Sequence, residues 1–77
     1  MAQKNNISGY SLFEICKDDE HFQLKAGDIV LGCTYQYDPG KTSVAFRISD
    51  GFKPGCNQYN NNVRRLSTLE AERALWR

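Results

Sequence analysis

Four side chains in this sequence have the intrinsic reactivity for covalent or metal chemistry: Cys16, Cys33, Cys56 and His21. A nucleophilic pair needs a thiolate within reach of an imidazole that can take its proton. Cys16 and Cys33 fall in apolar, strand-like stretches, where a thiol is a small hydrophobe rather than a nucleophile. Cys56 is the best candidate for an exposed thiolate, because it stands in a polar stretch. His21 follows an acidic run and reads as an exposed turn histidine. A zinc centre needs about four Cys or His ligands at recognisable spacing, and three cysteines with one histidine form no such pattern. Asp18-Asp19-Glu20 lacks the ordered ligand alternation of a calcium loop. The glycines are dispersed and build no phosphate-cradling loop. The sequence therefore points away from catalysis and calls for no metal or cofactor.

Residues suited to non-covalent contact concentrate in the second half. Residues 53–62, Lys-Pro-Gly-Cys-Asn-Gln-Tyr-Asn-Asn-Asn, are expected to form a polar loop, and Arg64 and Arg65 follow it. Arg47 falls on the outward parity of its expected strand. Arg offers a rigid donor fork, Tyr gives contact area at low entropy cost, and Asn makes adaptable hydrogen bonds. The candidate binding set is Arg47, Lys53, Asn57, Tyr59, Arg64 and Arg65. The same residue types could meet nucleic acid through phosphate contacts and base stacking. Trp76 is expected to anchor a terminal helix on the core, the alternative being an exposed hot spot for a partner.

Positioning those residues falls to a chain of 77 residues, which is one domain. Its composition, 40% hydrophobic and 25% charged, is that of a folded globular chain. Net charge is +1, but residues 1–38 carry three Lys against six acids and residues 39–77 carry seven Lys or Arg against three. Such asymmetry marks a basic face unless the halves interleave and mix their charges. Three cysteines, an odd number without C-x-x-C spacing, fit reduced thiols better than a disulfide framework. The polar N-terminus reads as no signal peptide, and no apolar run approaches a membrane span. A cytoplasmic location is expected.

Residues 1–6 read as a frayed terminus. Residues 9–16 carry apolar side chains on both parities and are expected to form a strand covered on both faces. His21–Leu24 is expected to be a short extended segment between a charged turn and the Lys25–Asp28 turn. Ile29, Leu31, Cys33, Tyr35 and Tyr37 share one parity, as do Val44, Phe46 and Ile48. Asp38-Pro39-Gly40-Lys41 between them is a turn signal. A hairpin pairing Tyr35 with Val44, Cys33 with Phe46 and Leu31 with Ile48 would align both apolar faces. Ser49–Phe52 marks another turn. Ser67-x-x-Glu70 is a capping box opening a helix over 68–77.

The expected fold is α+β and mostly β: a small antiparallel sheet, or an SH3-like barrel, of three to five strands with one C-terminal helix. The run Leu24-Lys25-Ala26-Gly27-Asp28-Ile29-Val30 resembles the turn-into-strand step of small SH3-like barrels. The expected function is that of a non-enzymatic protein-binding module, a regulator or inhibitor that occupies a partner surface. The alternative is a small nucleic-acid-binding barrel.

Overall fold

A computed structural model describes residues 10–34 and 40–76. The expected frayed residues 1–6 and the strand ends carrying Tyr35 and Tyr37 lie outside the described residues. Five strands form one antiparallel sheet: β1 (Tyr10–Ile15), β2 (Ile29–Thr34), β3 (Lys41–Arg47), β4 (Cys56–Tyr59) and β5 (Val63–Arg65). Helix α1 (Thr68–Leu75) follows. The strand order is β4-β3-β2-β1-β5, and the sheet curls into a half-barrel. The last strand crosses back to pair with the first after a 3₁₀ turn at Asn60–Asn62.

β1 pairs with β2 along one edge and β5 along the other, and buried residues on both of its parities show that both faces are covered. Phe13 and Ile15 enter the core with Val30, Val44, Cys56 and Val63. Leu12 lies on the other side, opposite Leu31, and is buried too. The inner face is closed from above by the β1–β2 loop. A bridge between Asp19 and Leu24 pinches that loop, and a 3₁₀ turn at Glu20–Phe22 stands where an extended segment was expected. Leu24 is fully buried and Phe22 packs at the edge of the core. The acidic run is spent inside the loop. Asp18 accepts from the amide of Ala26, and Asp19 caps the 3₁₀ turn and accepts from Gln58 Nε2 at 2.9 Å.

The β2–β3 hairpin exists, but its register is not the expected one. Gly32 faces Val44, and Leu31 faces Phe46, which leaves Ala45 as an extra residue in a bulge. A bulge shifts parity along the strand. Val44 therefore points into the core, while Phe46 falls on the outer face and is only half-buried. On β2 the buried residues are Val30 and Gly32, and Ile29, Leu31 and Cys33 take the outer side. Gly32 explains the arrangement. A Cβ placed there would sit 2.8 Å from the carbonyl oxygen of Ser43, so only glycine lets β3 close over β2 at this point.

Residues 53–62 are not wholly loop. Four of them form β4, an edge strand whose inward residues are Cys56 and Gln58. Gln58 is buried because its amide is hydrogen-bonded to Asp19, which meets the cost of placing a polar group inside. Thr42, also buried, donates to Asn60 Oδ1 at 2.8 Å. The turns at Lys25–Asp28 and Ser49–Phe52 form as expected, with Gly27 and Gly51 at φ of 96° and 75°.

Candidate functional site

The C-terminal helix is built as its sequence requires. Ser67 Oγ accepts from the amide of Glu70, and the Glu70 carboxylate accepts from the amide of Ser67 at 3.0 Å, completing the capping box. The segment is tied to the sheet by Leu66, whose amide donates to the carbonyl of Leu12. Arg64 is the second tether. Its guanidinium donates to Glu70 through both terminal nitrogens at 3.1 and 3.0 Å, and to Glu14 Oε1 at 2.6 Å. One arginine thus joins β1, β5 and α1. The Arg64 hydrogen bonds, together with that from the Ser67 amide, hold the Glu70 carboxyl down at about 2. The same carboxylates raise Arg64 further above its ordinary range.

What the helix turns toward the sheet is small and polar: Glu70, Ala71 and Ala74 are its half-buried residues. None of its residues is buried. Leu69 and Leu75 are 57% and 62% exposed, and Trp76, which caps the helix, is 85% exposed. Leu69 and Trp76 are seven residues apart and so lie within about 20° of one another around the helix axis. The expected anchoring of the helix through Trp76 is therefore overturned. The Arg64–Glu70 ion pair and the Leu66 amide tie the helix to the sheet, and its large apolar side chains stand in solvent. Between helix and sheet runs an open cleft of about 710 Å³, lined by Ile29, Ile48, Leu66 and Ala74 and equally by the charged Glu14, Asp28, Arg64, Glu70 and Arg73.

The sequence-derived binding residues are dispersed over the molecule. Arg47 is a clamp inside one edge of the fold. It donates to Asp28 at 3.0 Å, to the carbonyl of Gln23 at 3.0 Å and to Asp50 at 3.1 and 2.9 Å, and its guanidinium stands over the Phe52 ring. Arg47 and the Phe52 amide hold the Asp50 carboxyl at about 2. Lys53 is exposed in the β3–β4 turn. Asn57 and Tyr59 share the outward side of β4, with Lys41 Nζ 5.4 Å from the centre of the Tyr59 ring. Arg64 and Arg65 lie on β5, at the other edge of the strand order. Arg65 is exposed opposite Phe13.

The reactive side chains are likewise apart. Cys56, the best candidate for an exposed thiolate, is buried instead, and burial pushes its thiol up. Cys16 is exposed, Cys33 is half-buried, and His21 stands edge-on to Phe22 at 4.6 Å. Among the described residues, no three His, Cys, Asp or Glu side chains gather as a metal set, and no helix is long and apolar enough to cross a membrane.

The sequence left an exposed Trp76 as the alternative to an anchoring one, and Glu72, about 60° from Leu69 around the helix axis, flanks the Leu69–Trp76 face with a charge that is at odds with burying it. No family model matches the sequence, and neither a curated protein nor a solved structure matches it.

Proposed function

We propose that this chain is a small cytoplasmic protein-binding module, a regulator or inhibitor that occupies a surface on a partner, with α1 as its contact element. One observation carries the reading. A domain whose core is already closed by its own sheet and loop presents Leu69 and Trp76 on one face of a capped helix, with Leu75 exposed to the side. A helix laid into an apolar groove through anchors on one face is a recurring mode of protein recognition. Trp is among the residues that dominate such contacts. The nucleic-acid alternative is weakened by the pairing of its arginines. Arg47 and Arg64 are each bound to two carboxylates, so neither presents an unopposed charge to a phosphate.

The test is capture from the native cell extract, after nuclease treatment, with the parent chain and with Trp76→Ala. Recovery of a defined protein by the parent and its loss with the variant is the expected result. Nuclease-sensitive recovery, or recovery indifferent to Trp76, would overturn the reading. Oligonucleotide binding that survives physiological salt would favour the alternative instead.

A further inference from the structure

We propose that α1 is an ion-latched strap: it undocks from the sheet and melts as a unit while the five strands stay folded, and Arg64, held between Glu14 and Glu70, is its latch. The apolar hold on the helix is slight. None of its residues is buried, and the half-buried ones are Glu70, Ala71 and Ala74. Apolar stabilisation follows the area removed from water, and two alanine methyl groups supply little of it. Toward the sheet the helix faces an open cleft rather than packed side chains. The polar hold runs through Arg64, which donates at 3.0 Å to Glu70 on the helix and at 2.6 Å to Glu14 on β1. Glu14 thereby aims the guanidinium that the helix is fastened to. All three side chains are a third to a half exposed, so water and salt reach the whole latch.

Magnitudes separate the strap from the sheet. An ion pair exposed to this degree favours the docked form by about tenfold at most. A helix of eight residues is marginal alone, so once undocked α1 also melts, its capping box notwithstanding. The strands lose nothing essential when it goes. Their core is Phe13, Ile15, Leu24, Val30, Val44, Cys56 and Val63, and no member comes from α1. Global unfolding of a domain of ordinary stability is populated at only about one part in 10³ to 10⁸. Opening of the strap is therefore the far commoner event. Salt sets it, because the screening length shrinks from about 30 Å at 0.01 M to about 3 Å at 1 M. The latch works whether or not a partner binds α1, and it governs how often Leu69 and Trp76 stand on a formed helix.

Residue-resolved amide hydrogen exchange on the full chain tests this at about 0.01 M and about 1 M NaCl. Amides of Ala71–Trp76 should exchange together, protected no more than about 100-fold, while those of β1, β2 and β3 are protected at least about 1,000-fold. Raising the salt should lower α1 protection by about two- to fivefold and leave the strands unmoved. Arg64→Gln should lower α1 protection as far at low salt and abolish the salt response, and Arg64→Lys should fall between it and the parent. The strand amides report in the same experiment whether each variant is folded, and the parent's salt series stands without any variant. Exchange of α1 at the rate of the strands overturns the proposal, and so does α1 protection indifferent to salt. Arg64→Gln with parental α1 protection removes Arg64 as the latch. Failure here is separable from failure of the functional reading. A helix that opens only with the sheet yet captures a partner through Trp76 refutes only the strap, and a strap that opens but captures nothing refutes only the binding module.

Discussion

Replacing Gly32 with alanine adds one methyl group at the tightest point of the sheet. The new Cβ would lie 2.8 Å from the Ser43 carbonyl oxygen, 3.1 Å from Thr42 Cγ2 and 3.3 Å from Phe13 Cδ1. The first of these is backbone in the paired strand, and Thr42 and Phe13 are both buried, so nothing nearby is a loose side-chain end. Overpacking of this kind costs about 1–3 kcal/mol. Against it stands the reduced freedom of the unfolded chain, about 0.4–1 kcal/mol in favour of alanine. That gain applies in full, because Gly32 is not among the positive-φ glycines and alanine can adopt its backbone angles. The net expectation is a loss of about 0–2.6 kcal/mol. A domain of this size has roughly 4–12 kcal/mol in all, so the melting temperature should fall by up to roughly 20 °C. Thermal unfolding followed by circular dichroism measures it. A variant melting at or above the parent would refute the idea that Gly32 is what lets β3 close over β2.

Leu24→Ala should cost about 2–5 kcal/mol in urea unfolding, because this side chain plugs the inner face of the sheet. Phe46→Ala should cost clearly less than the ~3–5 kcal/mol of a core phenylalanine, since the bulge puts Phe46 on the outer face; the reverse ranking would contradict the bulged register. Ser67→Ala should weaken the helix by about 0.5–2 kcal/mol, seen as faster amide exchange within α1, while global stability moves little because no helix residue is buried. Glu70 is held at about 2 against an ordinary 4.5, so its contribution is complete above pH 4.5 and is lost as pH falls from there through about 2. Glu70→Gln should flatten the acid limb of a helix-content titration across that window, and an unchanged limb would show that the Arg64 tether does not hold the helix.

What could be read in the sequence was whatever depends on local chemistry. The capping box at Ser67 and Glu70 is satisfied within one turn, the Lys25–Asp28 and Ser49–Phe52 turns turn on single glycines, and β1 announced its two covered faces by apolar residues on both parities. The charge asymmetry of the two halves dissolves through pairs between them, Arg47 with Asp28 and Arg64 with Glu14. What stayed hidden depends on contacts distant along the chain. Val44 and Phe46 share a parity in sequence, and only the close approach at Gly32 and the extra residue Ala45 separate them onto opposite faces. β4 read as loop because its inward glutamine is made compatible with burial by Asp19, thirty-nine residues earlier. Arg47 looked like a surface contact because nothing local shows that Asp28 and Gln23 converge on it.

The helix shows how a core can leave an element free for other work. In a small α+β domain the helix ordinarily covers an apolar sheet face, because neither element is stable without burying its own. Here the inner face is closed by Leu24 from the β1–β2 loop, so the core is complete before α1 begins. The helix is then held by a guanidinium and two carboxylates, an attachment that does not use Leu69, Leu75 or Trp76. Full burial of a leucine contributes about 1.5–3 kcal/mol, and these two are more than half exposed. For a chain with so little stability in reserve, that burial is a sizeable fraction left unrealised by folding. It becomes available only when another surface covers the helix. The polar tether thus positions the helix while its apolar side chains stay in solvent, and the proposed partner contact rests on that arrangement.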